Sequence, residues 1–466
     1  MKKSMFLLRQ PTSVEFRVGL IFLWVAALGL RFWGLERFNT LVFDEIYFAK
    51  FAHNYLTHTT FFDAHPPLGK YLIAVGIWLK GFYPWGYRWM NALVGSCIPI
   101  LVASLGYQLT GQRRVALLAG FLTLLDGLLL VESRYGLINV YLLFFGLLGQ
   151  CCVLLSSRQH SWSQWGWLTL AGLSFGATAA VKWTGLGFLL GLYLFWGLQR
   201  LGNVLGRKAQ PSLKTPLAAL QKLSVLQLFF YIPCVGALLY RIIWIPHLLQ
   251  NPEFDFWQVH QQMWIYHKQV GSGPDIHPYC STGLTWPLML RPVSYFYQVA
   301  SSLQEGMPMT GPPLPNEKVH YIYTVYAIGN PFLWWGTTAA ITTVVGLLLW
   351  RTARWLLNLG TTLRPHRDCL VPLFLSVNYA ASLLPWLRIS RCAFLYHYMP
   401  AYLFSSIALA WVLENCLRGA DRSRPAFVLS ILLLCLVSFL FWLPFYLGLP
   451  LSLREWQWRI WLPTWV

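Results

Sequence analysis

The sequence predicts an all-α polytopic membrane protein with about eleven transmembrane helices and interfacial helices in its first outer loop. Three observations carry this prediction. Hydrophobic residues make up 56% of the 466-residue chain and charged residues 11%, with a mean hydropathy of +0.50, where a soluble domain carries about 25% charged residues. So few charges cannot cover a water-facing surface, so most of the surface must face lipid. Apolar runs near spanning length recur along the chain, and the basic residues gather in alternate short loops. Length alone would suit roughly three soluble domains; this pattern gives one membrane domain over 1–466 with two large loops. The 25 Trp, 23 Tyr and 30 Phe suit aromatic belts at the headgroup level.

The first element is a retained anchor. Met1 to Arg17 is basic and precedes an apolar stretch, and Arg31-Phe32-Trp33 follows Leu30 where a cleaved signal would have small residues. Spans are then expected near 18–33, 89–109, 115–131, 136–155, 165–181, 183–199, 223–244, 331–350, 370–386, 398–416 and 426–447. The stretch 68–83 is short and follows His65-Pro66-Pro67, where a Pro suits the first helical turn. It is expected to pack at the interface. With a cytoplasmic N-terminus, Lys2, Lys3, Arg9, Arg17, Arg113, Arg114, Arg158, Arg200, Arg207, Lys208, Lys214, Lys222, Arg351, Arg354, Arg364, Arg367, Arg418, Arg422 and Arg424 fall on the inner side. Of the 16 acids only Glu15, Asp368, Glu414 and Asp421 share that side. The C-terminus then lies outside.

The net charge of +19 is explained by these loops, and no RNP, helix-turn-helix or zinc-finger pattern appears, so nucleic acid is not an expected partner. The nine cysteines include no C-x-x-C pair. Cys151, Cys152, Cys234 and Cys435 lie in apolar runs and read as small membrane hydrophobes. Cys280 and Cys392 fall in outer loops, where a disulfide is allowed but not dictated by sequence. No compact metal-ligand pattern is present, and neither a metal nor another cofactor is expected.

The two outer loops, 34–88 and 245–330, far exceed the roughly 2–8 residues that usually join bundled helices. Their Trp, Tyr, Phe, Pro and His content argues against disorder and for chemistry at the outer face. In the first, Tyr47, Phe48, Phe51 and Tyr55 recur at helical spacing, which predicts an interfacial helix with Asp44 and Glu45 in its first turn. Burial raises the pKa of a carboxylate there and the helix N-terminus lowers it. Asp44 suits a general base or a helix cap, and sequence leaves both open. Asp63-Ala64-His65-Pro66-Pro67 closes the segment with an extended approach to the next helix.

Charges at or within spans are costly and therefore informative. Arg88 leads the second span, Asp126 lies inside the third, and Glu132-Ser133-Arg134-Tyr135 joins the third and fourth. Lys182 lies between the fifth and sixth spans, and Arg388 and Arg391 precede the tenth with Tyr396-His397-Tyr398. Most of these cations converge on the outer side. They either snorkel or form a phosphate site at the lipid edge, where Arg supplies bidentate donors. In the second loop, His277-Pro278-Tyr279 and Trp286-Pro287 with Arg291-Pro292 suggest a shaped wall for a substrate.

In ordered series these residues resemble the protein O-mannosyltransferase family. The resemblance runs through Asp44-Glu45, Asp63-Ala64-His65-Pro66-Pro67-Leu68, Asp126, Ser133-Arg134-Tyr135, Lys182-Trp183, His277-Pro278-Tyr279, Trp286-Pro287-Leu288-Met289 and Arg291-Pro292. Gly329-Asn330-Pro331, Trp334-Trp335, Tyr396-His397-Tyr398 and Trp461-Leu462-Pro463-Thr464-Trp465 complete it. It implies the C-type membrane glycosyltransferase fold and inverting transfer of mannose from a polyprenyl- or dolichyl-phosphate carrier to Ser or Thr of exported proteins. Under it Asp44 is the general base, Glu45 shapes the same site and Arg88 supports the loop. Arg134, Lys182 and Arg391 are the candidates for the donor phosphate; Asp63, His65, His277, Arg291 and His397 complete the expected substrate-binding set. Some family members work as dimers.

Two features depart from the family. Asn139 stands where Asp is usual after Ser-Arg-Tyr, and the second outer loop is too short for the sugar-binding β-trefoil of eukaryotic members. The latter points to a bacterial plasma-membrane enzyme with a polyprenyl donor and an outward-facing site. Two other readings stay open: a related lipid-linked glycosyltransferase acting on a lipid or glycan, and a transporter of lipid-linked sugar.

Overall fold

The computed structural model describes residues 9–205, 216–271, 273, 275–300, 321–357, 369–418 and 423–465. Lys2, Lys3, Arg207, Lys208, Lys214, Arg364, Arg367, Asp368, Asp421 and Arg422 of the predicted inner loops lie outside the described residues.

The chain is mostly helical, and the helices follow the apolar runs. Helix α1 (Ser13–Phe32) starts at a capping box in which Thr12 and Glu15 satisfy each other's backbone N–H. Helices α2 (Glu45–Leu56) and α3 (Leu68–Lys80) occupy the first large loop and pack on one another, with α3 against α4 (Pro84–Thr110). The third expected span is broken. Helix α5 (Arg113–Leu124) stops at Leu125, and α6 (Gly127–Glu132) restarts one residue later with the Asp126 carboxylate accepting from the Leu129 N–H at 2.8 Å. The intramembrane acid therefore caps a helix start that lipid could not solvate. Helices α7 (Asn139–Ser156), α8 (Ser161–Val181) and α9 (Leu186–Leu205) follow, then a four-residue turn α10 (Pro216–Ala219) and α11 (Ile232–Gln250). In the second half come α12 (Phe256–Gln269), α13 (Pro331–Leu356), α14 (Leu370–Leu383), α15 (Met399–Leu417), α16 (Arg424–Leu447) and α17 (Leu453–Gln457).

By length and apolarity, eight segments of the described residues are sufficient to cross a membrane: 13–32, 84–110, 139–156, 226–250, 331–354, 370–388, 395–417 and 424–447. The other three expected spans correspond to broken α5–α6, to α8 and to α9. Helix α16 leaves Phe427, Leu429, Leu433, Val437 and Leu440 uncovered, a stripe that only lipid suits. The protein is thus a multi-pass membrane protein.

The second large loop adds a small sheet to the helical architecture, which the sequence reading took as loop. Strands β1 (Val293–Ala300) and β2 (Tyr321–Ala327) pair antiparallel, and β3 (Leu451–Ser452) adds to β2 from the C-terminal segment. The run Val-Ser-Tyr-Phe-Tyr-Gln-Val is β-branched and aromatic, which suits a pleated surface. The register shifts between Ser294 and Phe296, a bulge that re-aims Tyr295.

Contacts separate two ends. At one, Glu414 is buried between Arg114 at 3.1 Å and Arg418 at 3.2 Å. At the other, the large loops interlock: Phe61 N–H donates to Asn251 at 2.7 Å, and Trp465 Nε1 donates to Met289 O at 2.9 Å. A Cys280–Cys392 disulfide at that end closes a separation of 112 residues, while Cys97, Cys151, Cys152, Cys234, Cys369, Cys416 and Cys435 are free thiols. Replacing both bridged cysteines by Ser is expected to lower stability by about 2–4 kcal/mol. The check is the thermal midpoint of the purified protein under non-oxidising and ordinary buffers; an unchanged midpoint contradicts it.

Candidate active site

The loop before α2 is shaped by one buried ion pair. Arg88 Nε donates to Glu45 Oε1 and Nη2 to Oε2, each at 2.8 Å, with both side chains fully buried. The remaining Arg88 donors reach Leu35 O at 3.1 Å, Phe38 O at 3.0 Å and Thr40 O at 2.8 Å. All five guanidinium N–H groups are used. Glu45 also accepts the Val42 N–H at 2.8 Å and the Gly136 N–H at 2.7 Å. Neither group has capacity left for a substrate. The Glu45–Arg88 pair instead holds the loop that precedes α2.

Phe43 is left-handed at φ 51° and stacks on Tyr295 with centroids 4.1 Å apart. This uncommon conformation for an aromatic residue immediately precedes Asp44 at the start of α2. Asp44 occupies the N-cap position of α2 but makes no capping bond. Burial raises its pKa to about 6, against the lowering pull of Lys182, with Asp63 adding to the rise. The Asp44 side chain is therefore not a helix cap, and burial is the largest influence on its pKa.

Around Asp44 stand three further groups. Lys182, at the C-terminus of α8, is buried, donates from Nζ to Asn139 Oδ1 at 2.8 Å and lies 5.6 Å from the Tyr396 ring centroid. Burial pulls its pKa down, opposed first by Asp44 and then by Glu132. Arg391 is partly exposed, 5.8 Å from the Trp386 ring, and its charge acts on Lys182 and His65. His65 is held well below its ordinary pKa by burial and by Lys182 and Lys70, so it is neutral. Its backbone is fixed by Lys70, which forms a buried ion pair with Asp63 and donates to His65 O at 2.7 Å. His267 of α12 reaches the same strand of loop, with Nε2 3.0 Å from Ala64 O.

The structure thus brings Asp44, Asp63, His65, Lys182 and Arg391 together. Three other expected residues, Arg134, Arg291 and His277, are engaged away from this cluster, while His397 feels the charges of Lys182 and Arg391. Arg134 donates to Leu30 O, Arg31 O, Trp33 O and Gly34 O at 2.7–3.0 Å, so its cation caps the end of α1 and is spent there. Arg291 donates to Pro278 O and Thr464 O and ties the second loop to the C-terminus. His277 Nδ1 accepts the Tyr279 N–H at 3.2 Å in a local turn. His397 sits beside Trp386 at 4.3 Å with its Nδ1 taken up by Phe394 backbone, and braces the loop that carries Arg391. Sequence reasoning missed Lys70, Glu132, Asn139 as a bridge, Tyr295 and His267. Glu132 accepts from Tyr295 OH and, at 3.1 Å, from Asn139 Nδ2. Among the described residues no group of three His, Cys, Asp or Glu could hold a metal ion.

The family model described as dolichyl-phosphate-mannose-protein mannosyltransferase matches residues 21–85 and 83–248, and that of the C-terminal four-transmembrane region of protein O-mannosyltransferase matches 253–465. The chain belongs to the protein O-mannosyltransferase family. This family member is 25% identical to the polyprenol-phosphate-mannose–protein mannosyltransferase of Mycolicibacterium smegmatis, over 92% of this chain and 88% of that one. Its fold matches the yeast (S. cerevisiae) protein O-mannosyltransferase Pmt1–Pmt2 complex bound to the sugar donor, with a TM-score of 0.80 at 16% identity, over 98% of this chain and 94% of that one. ArnT from Cupriavidus metallidurans shares the fold at a TM-score of 0.55 and 14% identity, over 93% and 77% of the two chains. The chain is a glycosyltransferase with the C-type membrane fold.

Proposed function

We propose that this chain transfers mannose, with inversion, from a polyprenyl-phosphate-mannose donor to Ser and Thr hydroxyls of exported proteins, at the outer face of a bacterial plasma membrane. One observation carries the reading: a half-buried carboxylate with no capping bond, Asp44, faces the buried Lys182 with Arg391 beside it. Asp44 takes the proton of the acceptor hydroxyl as its oxygen bonds to C1 of the sugar. The bond from C1 to the phosphate oxygen breaks, and the electron pair leaves with the polyprenyl phosphate. Negative charge grows on that phosphate in the transition state, where Lys182 and Arg391 stabilise it more than in the ground state. Inversion needs one base, unlike retaining hydrolysis, which needs two close carboxylates. His65 and Asp63 form the wall around the sugar. The Cys280–Cys392 bridge at the site's end of the molecule suits an oxidising, outward location. In this reading the single membrane domain carries the base on its first loop, 34–88, against which residues Asn251 and His267 of the second loop pack.

Purified protein is assayed with radiolabelled polyprenyl-phosphate mannose, a Ser/Thr peptide and membrane lipid. Label in the peptide supports the reading. Label in lipid or glycan alone, or no covalent transfer, overturns it.

The pH profile is also expected to be informative. A base acts when ionised, so kcat/KM rises with pH through the Asp44 pKa of about 6. Lys182 must stay charged, and burial lowers its pKa, so the profile falls below the ordinary Lys range of about 10.4. A profile flat from pH 5 to about 10 contradicts both assignments.

A further inference from the structure

Behind Lys182 lies an acid–amide pair that the reaction above does not use. Glu132 ends α6 and Asn139 begins α7, and both are buried. The pair forms a chain of one-way hydrogen bonds. Tyr295 OH donates to Glu132 Oε1, Asn139 Nδ2 donates to Glu132 Oε2 at 3.1 Å, and Lys182 Nζ donates to Asn139 Oδ1 at 2.8 Å. The amide has only one workable orientation. A carboxylate only accepts and an ammonium only donates, so the Asn139 nitrogen must face Glu132 and its oxygen must face Lys182. The flipped amide would oppose oxygen to carboxylate and NH2 to NH3+.

This arrangement answers the departure at position 139. Lys182 loses solvation on burial and is repelled by Arg391. A buried ammonium without a nearby negative charge is costly and gives up its proton. Asn139 is neutral and cannot supply that charge. Asp44 supplies the larger share from the site's side, and Glu132, one hydrogen bond further back, adds to it from behind; burial raises the Glu132 carboxyl to about 7, and Tyr295, Asn139 and Lys182 pull it back toward the ionised form.

We propose that Glu132 is the positioning residue for Lys182: acting through the Asn139 amide, it supplies a second negative charge, behind that of Asp44, which helps keep the ammonium charged and holds it aimed at the donor phosphate. Lys182 keeps two N–H donors after bonding Asn139, enough to grip a phosphate. The proposal rests on the reading of Lys182 as a donor-phosphate group, and it names which residue sustains that role.

The same geometry makes the charge transposable. With Gln at 132 and Asp at 139, Tyr295 OH donates to the Gln oxygen, the Gln NH2 donates to the Asp carboxylate, and Lys182 donates to the other Asp oxygen. Every donor still meets an acceptor, and the negative charge is conserved at nearly the same place. Glu132→Gln alone removes the charge and leaves one of its two partners, Tyr295 OH or the Asn139 NH2, without an acceptor.

The test is a swap measured as steady-state kinetics with polyprenyl-phosphate mannose and a Ser/Thr peptide. Glu132→Gln is expected to lower kcat/KM for the donor by about a hundredfold, the scale of a misplaced catalytic group, while KM for the peptide stays at its wild-type value. The double variant Glu132→Gln/Asn139→Asp is expected to recover donor kcat/KM to within about threefold of wild type. KM does not depend on how much protein is folded, so the donor-against-peptide split separates positioning from loss of fold. Wild-type donor kinetics in Glu132→Gln, an equal rise of both KM values, or a double variant no better than the single one each overturn the proposal. Absence of transfer by the wild-type protein instead removes the parent reading.

Discussion

Asp44→Asn is expected to abolish mannose transfer while leaving the protein folded. The substitution keeps shape and removes the only feature a base needs, a carboxylate that can take a proton. A positioned general base contributes about 10²–10⁴-fold, so the residual rate should fall near the limit of detection. The fold should not notice, because Asp44 makes no capping bond and Glu45, its neighbour, carries the loop's hydrogen bonds. Removing a half-buried carboxylate of raised pKa should, if anything, relieve a small desolvation cost. The check is transfer to a Ser/Thr peptide alongside the thermal midpoint. Transfer within tenfold of wild type would reject the base assignment.

Arg88→Met should do the reverse and act through the fold. It leaves Glu45 charged, fully buried and without its counter-ion, and releases the carbonyls of Leu35, Phe38 and Thr40. Breaking a buried pair from one side costs about 3–5 kcal/mol, a large part of a total stability of about 5–15 kcal/mol. The expected result is a much lower thermal midpoint and lost activity together, in contrast with Asp44→Asn. A midpoint equal to wild type would show that the pair does not hold the loop.

Much of this was legible before any coordinates. Hydropathy placed eight of the eleven expected spans, because lipid leaves a chain few alternatives to apolar helices. It also averaged over Asp126 and so hid the break between α5 and α6. The sheet escaped because β1 and β2 lie within a long loop and β3 comes from the chain's far end, so no local pattern joins them. The acid pair Asp44-Glu45 was found as a unit, yet its members do opposite work, one presented and one walled in. What divides them is the partner set: Glu45 is engaged by Arg88, Val42 and Gly136 from three parts of the chain, which no local residue pattern announces. Arg134 was misjudged for a related reason. A sequence gives the presence of a cation near the outer face but not where the guanidinium points, and here four carbonyls at the end of α1 claim it. Lys70 and Glu132 were passed over because each sits within a motif whose neighbours looked more reactive. Their roles depend on partners 7 and 163 residues away, Asp63 and Tyr295.

The central proposal is geometric: Asp44 as proton acceptor and Lys182 with Arg391 as phosphate grip face each other across the space where the sugar would sit. A structure of the protein with polyprenyl-phosphate mannose bound tests it most directly. The account predicts the phosphate between Lys182 and Arg391, with the sugar C1 open on the side of Asp44. A phosphate seated elsewhere, or a sugar whose C1 is turned from Asp44, would contradict it.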